Sequence, residues 1–163
     1  MPRIQATPNE IEKYVNLLAQ TPERIAACTR DLDDARLAAS SDMKMWSAVQ
    51  VLGQLHACAE LWGNTIYAML ADDTPTLPLI DERRYAKAEG YADLPFSASF
   101  STFCLQRAEL LAVLRHLTID RWERSGIQEG RSIGVFRQVR RMALHEVEHC
   151  DQLEALLVPP NRM

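Results

Sequence analysis

Four stretches of the chain carry apolar residues at helical spacing, separated by polar or Pro/Gly-rich segments. The first opens at Thr7-Pro8-Asn9-Glu10. Thr7 can cap, Pro8 suits the first helical position, and Glu10 completes a capping box. Ile11, Tyr14, Val15 and Leu18 then share one face. Thr21-Pro22-Glu23 repeats the start signal, so a break or kink is predicted near residue 21, with a second helical piece to about Asp31. Residues 32–44 are small and polar and read as a connection. Trp46 to Ala71 is the longest periodic stretch. Val51, Leu52, Leu55, Cys58, Trp62, Ile66 and Met69 fall on one stripe, which predicts a helix packed into a core. Residues 72–96 carry Pro75, Pro78 and Pro95 and little periodicity. A third helix is predicted over Ser97–His116, with Phe100, Phe103, Cys104, Leu110, Leu111 and Leu114 on its stripe. A short turn is predicted at Ile119–Trp122. Ser125-Gly126 and Glu129-Gly130 punctuate a loop, and a fourth helix runs from about Ser132 to Leu157, where Pro159-Pro160 stop it. No stretch shows sustained strand alternation.

A connection as long as 72–96 is unusual in a compact domain. It is explained if the chain crosses the length of a bundle, so that the third helix runs parallel to the second and antiparallel to the fourth. The prediction is a single all-α domain over 1–163, a four-helix bundle with one long crossover between helices 2 and 3.

Two charges interrupt these stripes. Arg107 sits in the middle of the third, and Glu146 in the middle of the one formed by Val139, Met142, Ala143, Cys150, Leu153 and Leu157. Lone buried charges are rare and costly, so the two are predicted to pair across the interface.

Composition narrows the class. With 163 residues, 47% hydrophobic and 25% charged, the chain can bury a real core. A formal net charge of −4 gives no reason to expect nucleic acid or an anionic membrane as partner. No apolar run approaches the ~20 residues of a membrane span, and MPRIQATPNEIEKY lacks the apolar core of a secretion signal. Cys28, Cys58, Cys104 and Cys150 form no C-x-x-C pair and read as buried, reduced thiols of a cytoplasmic protein.

The candidate chemistry lies on the fourth helix. His145 and His149 are spaced i, i+4, which puts both rings on one side, as a helix presents two imidazoles to one metal ion. The string His145-Glu146-Val147-Glu148-His149 matches the H-E-x-x-H of zinc proteases. That reading needs a third ligand and a substrate-binding strand, which an all-helical chain does not offer. From spacing alone, two helix histidines hydrogen-bonded to neighbours are commoner than a metal pair. His116, at a helix C-terminus, reads as an ordinary cap.

Taken together, Trp46-Ser47, Gln54-Leu55-His56-Ala57-Cys58-Ala59-Glu60-Leu61-Trp62-Gly63, Arg107 and His145-Glu146-x-x-His149-x-x-Gln152 resemble the DinB-like family of metal-dependent four-helix-bundle proteins, over about Leu17 to Leu157. The resemblance implies an up-down-down-up course, in agreement with the crossover. It also implies a divalent metal, zinc or nickel, held by three histidines. Two come from the last helix, matching His145 and His149, and the third from the second helix. Glu146, through its pairing with Arg107, reads as a structural group or one behind the ligands and not as a protease-like base, and Gln152, one turn after His149, reads equally as a group that orients a ligand or water or as a solvated glutamine. Relatives of this kind include thiol-dependent transferases and isomerases, many of them homodimers, which implies a small-molecule substrate, a low-molecular-weight thiol and a second copy as partner.

The third ligand is where this chain departs. The family register places it at Gln54, a weak neutral oxygen donor, with His56 two residues on as the alternative. The two point about 200° apart and flank Leu55 on opposite edges, so periodicity alone does not choose. Two function classes follow. One is a metal-dependent transferase acting with a low-molecular-weight thiol; the other is a non-catalytic binding or stress-response bundle with a degenerate site.

Overall fold

A computed structural model describes residues 5–40, 42 and 44–158. Pro159-Pro160, the expected stop of the last helix, lie outside them. The chain runs α1 (Pro8–Thr29), α2 (Asp34–Ala38), α3 (Ala48–Ala71), α4 (Glu82–Glu89), a 3-10 turn (Tyr91–Asp93), α5 (Phe96–Leu114), α6 (Ile119–Trp122), β1 (Ser125–Gln128), β2 (Arg131–Gly134) and α7 (Val135–Leu157). The four long helices form the bundle. Contacts along α3 and α5 advance in the same direction: His56 meets Ser99 near the start of both, and Gly63 and Tyr67 share a depression with Gln106 and Leu110. Those of α1 and α7 also advance together, from Tyr14–Arg140 to Thr21–Glu146 to Arg24–Glu154.

The starts follow local chemistry. Thr7 caps α1 by accepting from the Glu10 amide, with Pro8 in the first turn. Ser47 and Gln50 form a reciprocal capping box that opens α3. The last carbonyls of α3 are satisfied from afar: Arg124 donates to Met69 O at 2.7 Å and to Asp72 O at 2.6 Å.

Several sequence expectations are corrected. The first helix does not break at residue 21; α1 is continuous, with Pro22 inside it. Proline leaves the carbonyl four residues back without its helical donor. That carbonyl, Leu18 O, accepts instead from Arg107 Nη1 at 3.0 Å. The proline therefore creates an acceptor that a side chain of α5 needs, and does not end the helix. The stretch 72–96 contains α4, which begins at the Asp81 cap and ends at Gly90 with φ 69°. Since α4 buries no residue, it has no apolar stripe to read. Residues 125–134 form a hairpin where a loop and the start of the last helix were expected. Glu129 and Gly130, with φ 48° and 74°, make its two-residue turn.

The hairpin anchors the crossover. Ile127 N donates to Pro75 O at 2.8 Å, and Leu77 N donates to Ile127 O at 2.7 Å. Gly126 permits this, because a Cβ there would lie 2.7 Å from Leu77 Cδ1.

Arg107 and Glu146 pair as their positions in the stripes predict. Arg107 Nη1 and Nη2 donate to the two carboxylate oxygens, each at 2.5 Å, and the residues are 2% and 1% exposed. Thr21 donates to Glu146 Oε1 at 2.7 Å. Together they form a polar layer across the bundle. Leu18, Leu110 and Ala143 belong to one apolar cluster beside it, and Ile25, Phe103 and Cys150 to the other.

Breaking such a pair from one side should cost ~3–5 kcal/mol. In urea denaturation, Arg107→Met and Glu146→Gln should each be strongly destabilising, and the double mutant should lose much less than their sum. Pro22→Ala adds a donor for Leu18 O. It should therefore stabilise Arg107→Met by about 1 kcal/mol more than it stabilises the wild type; equal effects in the two backgrounds would refute that role for the proline.

Candidate functional site

The helical spacing of His145 and His149 delivers what it implies: their Nε2 atoms are 3.0 Å apart. Glu146 faces the core, so the residue before it and the third residue after it both turn towards α3. There the edge of His145 meets the Trp62 ring at 4.8 Å between centroids. The Arg141 guanidinium, one turn before His145, lies over the same indole at 4.5 Å. Glu82 of α4 closes this wall, accepting from Trp62 Nε1 at 3.3 Å and from Arg141 Nη2 at 3.4 Å.

The ring nitrogens are set by their partners. Gln152 Oε1 is 2.9 Å from His149 Nδ1. Since the carboxamide oxygen only accepts, it holds the proton on Nδ1 and leaves Nε2 its lone pair. His145 Nδ1 is buried without a partner among the described residues. Burial first, then the neighbouring His149 and Arg141, push the His145 pKa down to about 4. At neutral pH His145 is therefore an uncharged imidazole, the form that binds a metal.

The remaining candidates are placed as follows. Gln54 is half-buried and donates from Nε2 to Cys58 Sγ at 3.4 Å; no hydrogen bond joins it to either histidine among the described residues. His56, the alternative, is held on the α5 side of α3. Its ring stacks on Tyr91 at 4.2 Å, and its Nδ1 is 3.1 Å from Ser99 Oγ. Burial lowers its pKa. Glu146 does not stand behind the histidines, because Arg107 and Thr21 take its oxygens. That also removes it as a protease-like base. Gln152 does stand behind one of them. His116 Nδ1 lies 2.7 Å from Ala112 O, consistent with a helix-end cap. Cys58 and Cys150 are buried, and burial pushes each thiol up to about 12, so both are protonated core groups. Cys28 and Cys104 are only half-buried, short of the expectation for them.

The donor set can be tested against a metal ion. Two imidazole nitrogens ~2.1 Å from one ion lie ~3.4 Å apart at the tetrahedral angle and ~3.0 Å apart at about 90°; the 3.0 Å found here matches the narrower angle and is also the distance of a hydrogen bond between the two rings. The third donor is lacking in strength: among the described residues no three histidine, cysteine, aspartate or glutamate side chains are grouped to hold a metal. The two histidine nitrogens by themselves are close enough to share an ion; the one hydrogen bond of the Gln54 side chain among the described residues is to Cys58.

Trp62, Arg141 and Glu82 are site residues that sequence reasoning missed. Arg141 was readable in principle, since Arg141, His145 and His149 recur every four residues on one face. Trp62 reads as core and as part of the string that carries the resemblance, without a role at the site, and Glu82 comes from a helix without an apolar stripe.

No protein-family model matches this sequence, and no curated protein is similar to it in sequence. Solved structures do match in shape. One is YfiT from Bacillus subtilis, a probable metal-dependent hydrolase with an unusual four-helix bundle topology. It aligns with TM-score 0.79 at 18% identity, over 95% of this chain and 91% of that one. Another is the mycothiol-dependent maleylpyruvate isomerase, with TM-score 0.70 at 16% identity, over 88% of this chain and 60% of that one. At these identities the shared property is the fold.

The depressed His145 pKa makes a stability prediction. Unfolded, the imidazole titrates near 6.5; folded, near 4. Between these values the unfolded chain binds more protons, so the stability contribution is complete above about pH 6.5 and is lost as pH falls towards 4. With chelator present, His145→Asn should flatten this part of the urea-midpoint profile. An unchanged slope between pH 6.5 and 4 would show that His145 is not held neutral.

Proposed function

We propose that this chain, a bundle of DinB-like fold, is a weak divalent-metal protein, with zinc or nickel held by Nε2 of His145 and His149 and Gln54 as the third, weak donor. The observation that carries the reading is the 3.0 Å separation of the two Nε2 atoms. We propose further that the site transfers a low-molecular-weight thiol to a small substrate. The resemblance and the thiol dependence named for the neighbouring isomerase support that reading. A metal bound here would act as a Lewis acid that lowers the pKa of a bound water or thiol.

The chain's own residues prepare the site. Gln152 fixes the His149 tautomer, so its lone pair needs no proton removed. Burial keeps His145 uncharged. Trp62, with Arg141 over its face and Glu82 at its nitrogen, excludes water from one side. The buried thiol of Cys58 is protonated and ties down Gln54 without competing as a nucleophile.

The second reading, a non-catalytic bundle with a degenerate site, is favoured by one observation, the carboxamide at position 54. Metal titration separates the two. Protein purified without nickel resin and stripped with chelator should bind zinc or nickel weakly, and His149→Ala should abolish binding. Gln54→His should tighten it by tenfold or more, about 1.4 kcal/mol. If neither the wild type nor Gln54→His binds metal, the second reading stands.

A further inference from the structure

The crossover is fastened to the bundle at two points. Upstream, the hairpin holds Pro75 and Leu77 through Ile127, and Gln128 Nε2 donates to Pro78 O at 2.9 Å. Downstream, the Tyr91 ring stacks on the buried His56 at 4.2 Å, and its hydroxyl donates to Glu60. The turn there rests so closely on α3 that a Cβ at Gly53 would lie 3.2 Å from Ala92 N.

Residues 79–90, between these points, are held differently. Leu79 and Ile80 are 61% and 40% exposed, and α4 buries no residue. Its ends are closed from within. Asp81 accepts from the Arg84 amide at 2.9 Å, and Gly90 takes up a φ of 69° to end the helix. What joins α4 to the long helices is polar and long. One oxygen of Glu82, Oε1, accepts both from Trp62 Nε1 at 3.3 Å and from Arg141 Nη2 at 3.4 Å. The Arg83 guanidinium lies 5.7 Å from the Trp46 ring centroid. Among the described residues no other hydrogen bond or ion pair ties α4 to those helices. The side chains of Arg141 and Glu82 are 52% and 29% exposed, so water competes for the pair and it contributes little. A segment closed without apolar burial opens locally, far below the free energy of global unfolding.

The segment also covers something. With α3 and α7 it encloses a cavity of about 300 Å³. Leu79, Ile80 and Glu82 form one wall, and Leu61, Trp62 and Arg141 the other. Trp62 is the ring against which His145 lies.

We propose that residues 79–90 form a strap that swings off the bundle as one unit while the four long helices stay folded, with Glu82 as its latch and Gly90 as its downstream hinge, and that its opening admits small molecules to the Trp62 side of the histidine pair. The strap needs no metal, so it stands or falls apart from the metal reading.

The test is native-state hydrogen exchange of the full chain at neutral pH with chelator present, over a range of low urea. The α4 amides should exchange at least about a hundredfold faster than those of α3, α5 and α7, at a rate that low urea leaves unchanged. The Trp62 indole N–H, whose acceptor is Glu82, should exchange with the α4 amides and not with the backbone of α3. Fraying of α4 alone would leave that N–H protected. Glu82→Ala should speed exchange of α4 and of the indole N–H by about threefold, with the urea midpoint and the rates in α5 and α7 unchanged. Access is read separately with diethyl pyrocarbonate, a small electrophile for neutral imidazole. Glu82→Ala should speed modification of His145 and leave that of the exposed His116 as it is. The strap is overturned if the α4 amides or the indole N–H exchange only with global unfolding, if the indole N–H stays protected while α4 exchanges, or if Glu82→Ala changes neither rate. Equal His145 modification in wild type and variant overturns its role as a gate.

Discussion

The fold turns on a guanidinium and a carboxylate taken out of water together. Arg107 and Glu146 form two parallel charge-assisted hydrogen bonds in the middle of the bundle, and the rest of the arrangement follows from satisfying them. A well-packed apolar pair could be as stable, so the contribution specific to this pair is register. The layer admits one axial alignment of α1, α5 and α7, because Thr21 must reach Glu146 and Leu18 O must reach Arg107. Pro22 belongs to the same device. By removing one helical donor it leaves a carbonyl that a buried cation can use.

The same constraint aims the candidate site. With Glu146 pinned inward, His145 and His149 lie about 60–100° round the helix from it, on the side that faces α3. Gln138, eight residues earlier, falls on the same side. The orientation of the histidine pair and the burial of Gln138 are therefore consequences of one rotation of α7. Trp62 adjoins the pair and the cavity. Its ring contacts His145 and Arg141 and lines the cavity, while its indole nitrogen holds α4 through Glu82. The surroundings of Trp62 are low in net charge: His145 is neutral by burial, and Arg141 and Glu82 offset each other.

Much of this was legible wherever a signal was local or periodic. The stripes located four long helices, and the two charges inside them identified their own partnership. The i, i+4 histidines met as spaced. The misreadings have a common origin. Thr21-Pro22-Glu23 is a valid helix start in isolation, and only Arg107, 85 residues on, makes the proline tolerable within α1. The hairpin strands are four residues each, too short for alternation to show. The helix α4 buries nothing, so its caps at Asp81 and Gly90 were its only marks.

The sequence by itself determined the class of structure and the meeting of the two histidines on one helix. Helical periodicity, capping chemistry and the cost of an unpaired buried charge are properties of residues and their near neighbours, and they act before any tertiary contact exists. The choice between Gln54 and His56 was of another kind. Both flank the same apolar stripe, and what separates them is which neighbour packs on each edge. Tyr91 and Ser99 take His56 on one side, while Gln54 stays with Cys58 on the other. The cavity beside Trp62 likewise exists only because the segment around 75–80 returns over α3 and α7. These features depend on where distant segments are brought together. That is fixed by the summed burial and hydrogen bonding of the whole chain, and not by any window along it.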